Sequence, residues 1–295
     1  MQTEQRNPRS KHIDQLPTLD VLRIMNDEDA TVAAAVREAL PDIARAVDVI
    51  VERIGRGGRL IYVGAGTSGR LAVVDASECV PTFSVDPSLV RAVIAGGMQA
   101  LVHSVEGAED DIRQGRADVL ALDLRADDVV VGLAASGRTP YVLGALAAAR
   151  EVGAATVGVS CNRPAPLLEA ADIGIAVVVG PEVITGSTRL KAGTAQKMIL
   201  NMLSTATMIR LGKVYGNRMV DVMVSNEKLA RRARGIVADV AGVSHDEAAR
   251  LLEESGQEVK TAIVMSRLGL SASEARARLN EAGGRLALVI GESKD

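Results

Sequence analysis

Two glycine- and hydroxyl-rich stretches and the carboxylates near them are the residues best suited to chemistry. The first, Gly64-Ala65-Gly66-Thr67-Ser68-Gly69-Arg70, follows the short apolar run Arg59–Val63 and precedes Leu71–Glu78. The run reads as a buried strand and the following segment as a helix. A strand, a glycine turn and a helix start make an anion site. Glycine lets the backbone come close, and the free N–H groups of the first helical turn point at the ligand. A second stretch, Ala134-Ala135-Ser136-Gly137-Arg138-Thr139-Pro140, repeats the device between the apolar residues 129–133 and a helix over Tyr141–Arg150. Taken alone, Ser136 and Thr139 could simply cap that helix. Two such loops in one sheet suggest a clamp on one sugar phosphate. A third stretch, Glu182–Thr194, is rich in hydroxyls and leads into a long helix over Ala195–Leu211. Arg189 or Lys191 in it could neutralise a phosphate; the alternative is a capped loop with solvated charges.

Several chemistries are disfavoured by the residues themselves. Gly64-x-Gly66-x-x-Gly69 matches the dinucleotide fingerprint, but that fingerprint needs an acid at the end of the second strand. Here the run 90–95 ends in Gly96-Gly97, so no nicotinamide cofactor is expected. There is no Gly-x-x-x-x-Gly-Lys-Ser/Thr loop. His12, His103 and His245 are scattered, and no Cys/His spacing suggests zinc. Carboxylates are then the candidate acid and base: Asp75, Glu78, Glu106, Glu109, Asp110 and Asp111. Glu78 lies between Ala76-Ser77 and Cys79-Val80-Pro81, a small and apolar setting in which a carboxylate would resist ionising. That suits a general acid. Glu109 follows Gly107-Ala108 and is expected at a helix start, where it would stay charged. Opposed environments make the two a candidate acid/base pair.

The elements that must position these groups alternate. Strands are expected at 59–63, 90–95, 128–133, 154–159 and 173–179, with helices between most of them. This is the α/β pattern of a parallel sheet with helices on both faces, which binds ligands beyond the carboxyl ends of its strands. Before it, Met1 to about Gln15 reads as a loosely attached arm, Leu19–Leu40 as helical, and Asp42–Ile54 as a further helix opened by Pro41 and stopped by Gly55-Arg56-Gly57-Gly58. After it, the chain from Asn226 is charged and helical. Ser244-His245-Asp246-Glu247-Ala248 is matched by Ser271-Ala272-Ser273-Glu274-Ala275, and Gly256 by Gly283. Each copy opens on a capping-box spacing and closes on a helix stop, giving a small module like ubiquitin-associated three-helix folds. The expected domains are 1–54, 55–222 and 223–295.

With 295 residues, 47% of them hydrophobic and only 1% aromatic, the core must be built from Ala, Val, Leu and Ile. A net charge of −3 predicts neither a nucleic-acid face nor a membrane face. Cys79 and Cys161 are too few for a disulfide framework and read as reduced thiols of a cytoplasmic protein. The polar start, Met1–Arg9, does not read as a signal peptide, and no apolar run is long enough to span a bilayer.

Taken together, the chain closely resembles the N-acetylmuramic acid 6-phosphate etherases of the sugar isomerase (SIS) superfamily. The motifs that carry the likeness are Gly64–Leu71, Asp75-Ala-Ser-Glu-Cys79, Val105-Glu-Gly-Ala-Glu-Asp110, Ala134–Tyr141, Thr185–Gln196, Asn201–Thr205 and Gly216–Val222. The related vertebrate glucokinase regulatory protein shares the loops but is a binder. The resemblance implies a flavodoxin-like SIS domain and cleavage of the D-lactyl ether of N-acetylmuramic acid 6-phosphate, giving N-acetylglucosamine 6-phosphate and D-lactate without metal or organic cofactor. It implies Glu78 as proton donor and Glu109 as its partner acid/base. The substrate-binding set is then Gly66, Thr67, Ser68, Ser136, Gly137, Arg138, Thr139, Glu182, Ser187 and Lys191. One geometric difficulty follows. A straight helix over 68–78 would put Glu78 about 15 Å from Ser68, longer than a sugar 6-phosphate. Either the phosphate sits on the Ser136 loop, or the helix breaks, or Glu78 reaches into a partner's pocket. The first is favoured, with the third open, and a homodimer is expected.

Overall fold

The structure is a computed structural model and describes residues 1–224 and 226–292. The chain forms two compact units: residues 1–77 with 87–204, and residues 78–86 with those from 205 onward.

The first unit is built on a five-stranded parallel sheet. Its strands are β1 (Leu60–Gly64), β2 (Val90–Ile94), β3 (Val129–Leu133), β4 (Ala155–Ser160) and β5 (Ile173–Ala176), in the order β2-β1-β3-β4-β5. Every residue of β1 and β3 is buried. That is why these strands read as unbroken Val, Ile and Leu runs: helices cover both faces. The helices are α1 (Thr18–Asp29), α2 (Val32–Glu38), α3 (Leu40–Gly55), α4 (Gly66–Phe83), α5 (Ile112–Leu120), α6 (Pro140–Val152), α7 (Pro166–Ala170) and α8 (Lys191–Arg210), of which α4 from Glu78 and α8 from Thr205 belong to the second unit. β1 pairs with β2 on one side and β3 on the other, Leu60 facing both Val90 and Val129. The strand order therefore reverses between β1 and β3, and ligands bind at such a switch point. Both hydroxyl loops leave the sheet there, one after Gly64 and one after Leu133. At the opposite end Asp128 accepts from Arg59 N (2.9 Å) and Arg59 Nη2 (2.6 Å), joining the starts of β1 and β3.

Three expectations about this unit change. The arm is not loose: residues 2–4, 8–10 and 13–15 form 3-10 turns, and Thr3, Asn7 and Ser10 are buried. Their polar side chains and backbone find partners in the loops beyond β4 and β5, a match no local pattern reveals. The helical stretch 19–40 divides at Ala30-Thr31, where Thr31 Oγ1 donates to Glu28 O (2.7 Å). Asp27, Glu28 and Asp29 also crowd negative charge onto the carboxyl end of α1, which the helix dipole disfavours. β5 stops at Ala176 rather than 179, because β4, with which it pairs, ends at Ser160. The helix carrying Glu78 does not break; α4 runs unbroken from Gly66 to Phe83.

In the second unit β6 (Val214–Tyr215) and β7 (Arg218–Met219) form a short hairpin. It is followed by α9 (Glu227–Ala241), α10 (His245–Glu254), α11 (Val259–Leu268), α12 (Ala272–Glu281) and α13 (Leu286–Ile290). Their core gathers Val237, Leu251, Ile263, Val264 and Leu279. The repeat is visible as two helix-turn-helix copies. Ser271 and Glu274 complete a reciprocal capping box, Ser244 caps Glu247 N, and Gly256 and Gly283 both adopt left-handed backbone.

Candidate active site

The glycine loop turns tightly because of what its glycines touch. A Cβ on Gly69 would lie 2.5 Å from Ile94 Cγ1 and 2.8 Å from Gly64 O. Any side chain there would push α4 off the sheet. The close approach leaves Gly66 exposed at the first turn of α4. A cavity of about 320 Å³ opens beside it, lined by Gly66, Arg70, Ser104, Glu106 and Glu109 among others. Arg70 is held by a bond from Nε to Leu101 O (3.2 Å). The structure therefore brings the glycine loop, a guanidinium and Glu109 to one pocket at the carboxyl end of β1.

Glu109 lies in the 3-10 turn Ala108–Asp110, entered through left-handed Gly107. The start of α5 itself is capped by Asp111, which accepts from Arg113 N and Gln114 N at 2.9 Å each. The helix-start position expected for Glu109 thus belongs to Asp111. Glu109 stands one short turn earlier, exposed toward the cavity.

Glu78 is also exposed, unlike the shielded setting expected from its neighbours. Helical phase explains this. Ala72, Ala76 and Cys79 take the buried positions of α4, while Ser77 and Glu78 face outward. The carboxyl of this helix that is drawn inward is Asp75. Burial pushes its pKa up, against the hydrogen bonds it accepts from Tyr62 Oη (3.0 Å) and Ser204 Oγ (3.1 Å) and against the charge of Lys197. Sequence reading named Asp75 among six carboxylates without distinguishing it. Its place on the Ala72–Ala76 face of the helix was the signal.

In the second loop Ser136 Oγ accepts from Arg138 N at 3.2 Å, leaving its own O–H free to donate. Thr139 stands at the start of α6 with no side-chain bond to the helix, so the capping alternative does not describe it. Gly137 is buried and left-handed, pressed against Ser160 and Ala165. Arg138 is exposed beside it.

Other candidates are engaged within the protein. Ser68 Oγ donates to Gln196 Oε1 (2.8 Å), tying α4 to α8. Gln196, almost wholly buried, keeps an amide nitrogen without a partner among the described residues, and a search for hydroxyls and cations does not reach it. Lys191 is buried, and its Nζ pairs with Glu28 at 2.6 Å. Glu182 is fully buried and accepts from Lys191 N and Ala192 N, both at 2.9 Å, capping α8. Burial pushes the Glu182 carboxyl up, opposed by those two N–H groups. Arg189, by contrast, is exposed and has no ion pair among the described residues. Ser187 is half-buried in the same loop.

A 2-1-3-4-5 parallel sheet with hydroxyl loops at its switch point is a flavodoxin-like arrangement, and the family matches place it among SIS-domain proteins. The SIS domain family model matches residues 102–206. Those of the N-terminal SIS domain and the C-terminal lid domain of glucokinase regulatory protein match 42–150 and 216–259. Among solved structures, a phosphoheptose isomerase from Francisella tularensis shares the fold with a TM-score of 0.54 at 20% identity, over 66% of this chain and 100% of that one. A protein of E. coli CFT073 has a TM-score of 0.51 at 16% identity, over 68% and 97%.

Whole-chain relatives define the family more narrowly. A Cutibacterium acnes protein named N-acetylmuramic acid 6-phosphate etherase is 56% identical over 291 residues, 99% of this chain and 96% of that one. One of the same name from Streptomyces coelicolor is 58% identical over 284 residues, 96% and 91%. The chain belongs to the N-acetylmuramic acid 6-phosphate etherase family.

Proposed function

We propose that the protein cleaves the D-lactyl ether of N-acetylmuramic acid 6-phosphate, releasing D-lactate and N-acetylglucosamine 6-phosphate in the breakdown and recycling of cell-wall amino sugar. The single observation that carries the reading is family membership over nearly the whole chain. The cavity that sets Glu109 beside the glycine loop supports it.

An ether is a poor leaving group, so direct hydrolysis is slow. Ring opening creates an aldehyde at C1, which acidifies the C2 proton. A carboxylate removes that proton, the C3–O bond breaks, and the electron pair leaves on the lactyl oxygen, which takes a proton from a general acid. Water then adds at C3 of the unsaturated aldehyde and C2 regains a proton, so one water is consumed overall. Glu78 as proton donor and Glu109 as partner acid/base follow the family motif, and each proton transfer contributes about 10²–10⁴-fold. In this reading the phosphate rests on Ser136, Gly137, Arg138 and Thr139, with Gly66 and Thr67 bounding the sugar and Ser68, bonded to Gln196, fixing the start of α4. Ser187 and Arg189 supply further polar contacts. Glu182 and Lys191, engaged as they are, hold the loop rather than the ligand. The phosphate is not consumed, so its binding energy can orient the reacting carbons.

The protein acts as a homodimer in the cytoplasm. Glu78 stands three turns along α4 from Gly66 and points outward, which favours its use by a second copy. No helix among the described residues is long and apolar enough to cross a membrane.

The test is D-lactate release from N-acetylmuramic acid 6-phosphate by the purified chain. Release that Glu109→Gln abolishes supports the reading. Binding of the sugar phosphate without release favours a regulator like the one whose domain models also match.

A further inference from the structure

The first ten residues bury Thr3, Asn7 and Ser10 and no apolar side chain. Hydrophobic gain therefore does not dock them; polar contacts do, and apart from the pairs of Arg9 with Asp27 and Glu28 of α1 they converge on two loops. Asn162, just past the end of β4, is the hub. Its Oδ1 accepts from Gln2 N (2.7 Å) and Thr3 N (3.3 Å). Its Nδ2 donates to Thr3 Oγ1 (2.9 Å) and to Ala135 O (2.9 Å). Both amide hydrogens and both acceptor positions are used, so losing one partner leaves a buried polar group stranded. Ala135 directly precedes Ser136, and its carbonyl also accepts from Cys161 N (3.1 Å). Further along, Asn7 Nδ2 donates to Pro181 O (3.3 Å) and Ser10 Oγ to Val183 O (2.7 Å). Those carbonyls flank Glu182, which caps α8.

We infer that the amino-terminal segment belongs to the substrate site at one remove: Thr3 and Asn162 are positioning residues that fix the backbone of Ala135–Gly137 for the substrate's phosphate, and Asn7 and Ser10 do the same for the loop around Glu182. This rests on the proposed function only in naming the ligand. Through the Asn162 side chain to Ala135 O, and directly to Pro181 O and Val183 O, the segment reaches backbone carbonyls of loops at the carboxyl edge of the sheet. Hydrogen bonds of this kind add little net stability, but they select one loop geometry over others. Preorganised loops raise affinity by removing the cost of ordering them when the ligand arrives.

The experiment compares full-length Thr3→Val, Thr3→Ser and Asn162→Asp with the unaltered chain. It reads KM and kcat for D-lactate release, thermal midpoint, and amide hydrogen exchange over residues 134–139. Thr3→Val removes the hydroxyl and keeps the shape, while Thr3→Ser keeps the hydroxyl. Asn162→Asp keeps the acceptor for the arm but turns a repelling oxygen on Ala135 O. Thr3→Val and Asn162→Asp are expected to raise KM about tenfold, the equivalent of one lost hydrogen bond, with kcat within about twofold. Exchange over 134–139 should quicken, and Thr3→Ser should behave as the unaltered chain. Unchanged KM and unchanged exchange in both Thr3→Val and Asn162→Asp overturn the inference. So does a fall in thermal midpoint and kcat with KM untouched, the mark of a purely structural role. If the unaltered chain releases no lactate, the proposed function fails. The exchange measurement then still decides whether Thr3 and Asn162 hold the loop.

Discussion

Gly137→Ala is the sharpest local test of the second loop. Gly137 has φ of +67°, and its backbone is tied at both ends: its N–H donates to Ala134 O and its carbonyl accepts from Leu167 N, each at 3.0 Å. A Cβ added there would lie 2.5 Å from Ala165 Cβ, 2.5 Å from Ser160 Oγ and 3.0 Å from Ser160 Cβ. Two costs follow. An L side chain in the left-handed region costs roughly 1–2 kcal/mol. Forcing a methyl into close-packed surroundings costs about 1–3 kcal/mol more. Their sum, about 2–5 kcal/mol, exceeds the roughly 0.5–1.5 kcal/mol that any one of the loop's hydrogen bonds returns, so the loop shifts before the sheet does. Even the lower bound corresponds to about thirtyfold in an equilibrium constant. Kinetics of D-lactate release should therefore show KM raised at least about thirtyfold, with far-ultraviolet circular dichroism unchanged. A Gly137→Ala chain with unaltered KM would refute both the geometry and the assignment of phosphate to this loop.

Other outcomes follow from the same structure. Glu109→Gln is isosteric and should lower kcat by about 10²–10⁴ while leaving binding of N-acetylglucosamine 6-phosphate, measured by calorimetry, nearly unchanged. Mixing inactive Glu78→Gln chains with inactive Ser136→Ala chains should restore part of the activity in verified mixed dimers; none would reject a pocket shared between copies. Asp128→Asn should destabilise the first unit by about 1–3 kcal/mol in urea unfolding, because Asn keeps one acceptor oxygen and strands the N–H donors on the other, while Arg59 retains its bonds to Leu122 O and Asp123 O. Burial alone would raise the Asp128 pKa, but the bonds from Arg59 and Arg125 N outweigh it and hold the carboxyl below its usual range. Its stabilisation is therefore full above the unfolded value of about 4 and is lost as pH falls through the lower folded value. The unaltered chain should lose stability over that acid range, and Asp128→Asn should show a flatter pH profile there.

Much of the sheet was legible because a strand buried on both faces must be apolar throughout, as Leu60–Gly64 and Val129–Leu133 are. The two loops were legible because glycine and hydroxyl residues after such strands have few other uses. What escaped reading has a common cause. Thr3, Asn7 and Ser10 look like solvated residues, and only their distant partners, Asn162, Pro181 and Val183, make them buried. Lys191 looked like a free cation beside a phosphate loop, but Glu28, far off in sequence, claims it. Glu78 and Asp75 were separable by helical phase, yet the composition of the neighbouring residues pointed to Glu78 as the shielded carboxyl when it is Asp75 that burial affects. Local pattern fixes which way a side chain faces; long-range pairing decides whether it is available.

The reaction is defined most directly by which bond of the ether breaks. The protein should be incubated with N-acetylmuramic acid 6-phosphate in water labelled with oxygen-18, and both products weighed by mass spectrometry. Elimination followed by addition predicts a labelled oxygen at C3 of the N-acetylglucosamine 6-phosphate, located by fragmentation apart from any label the C1 aldehyde exchanges with water, and none in the D-lactate. Label in the lactate, with the sugar unlabelled at C3, would mean cleavage on the lactyl side and would contradict the mechanism.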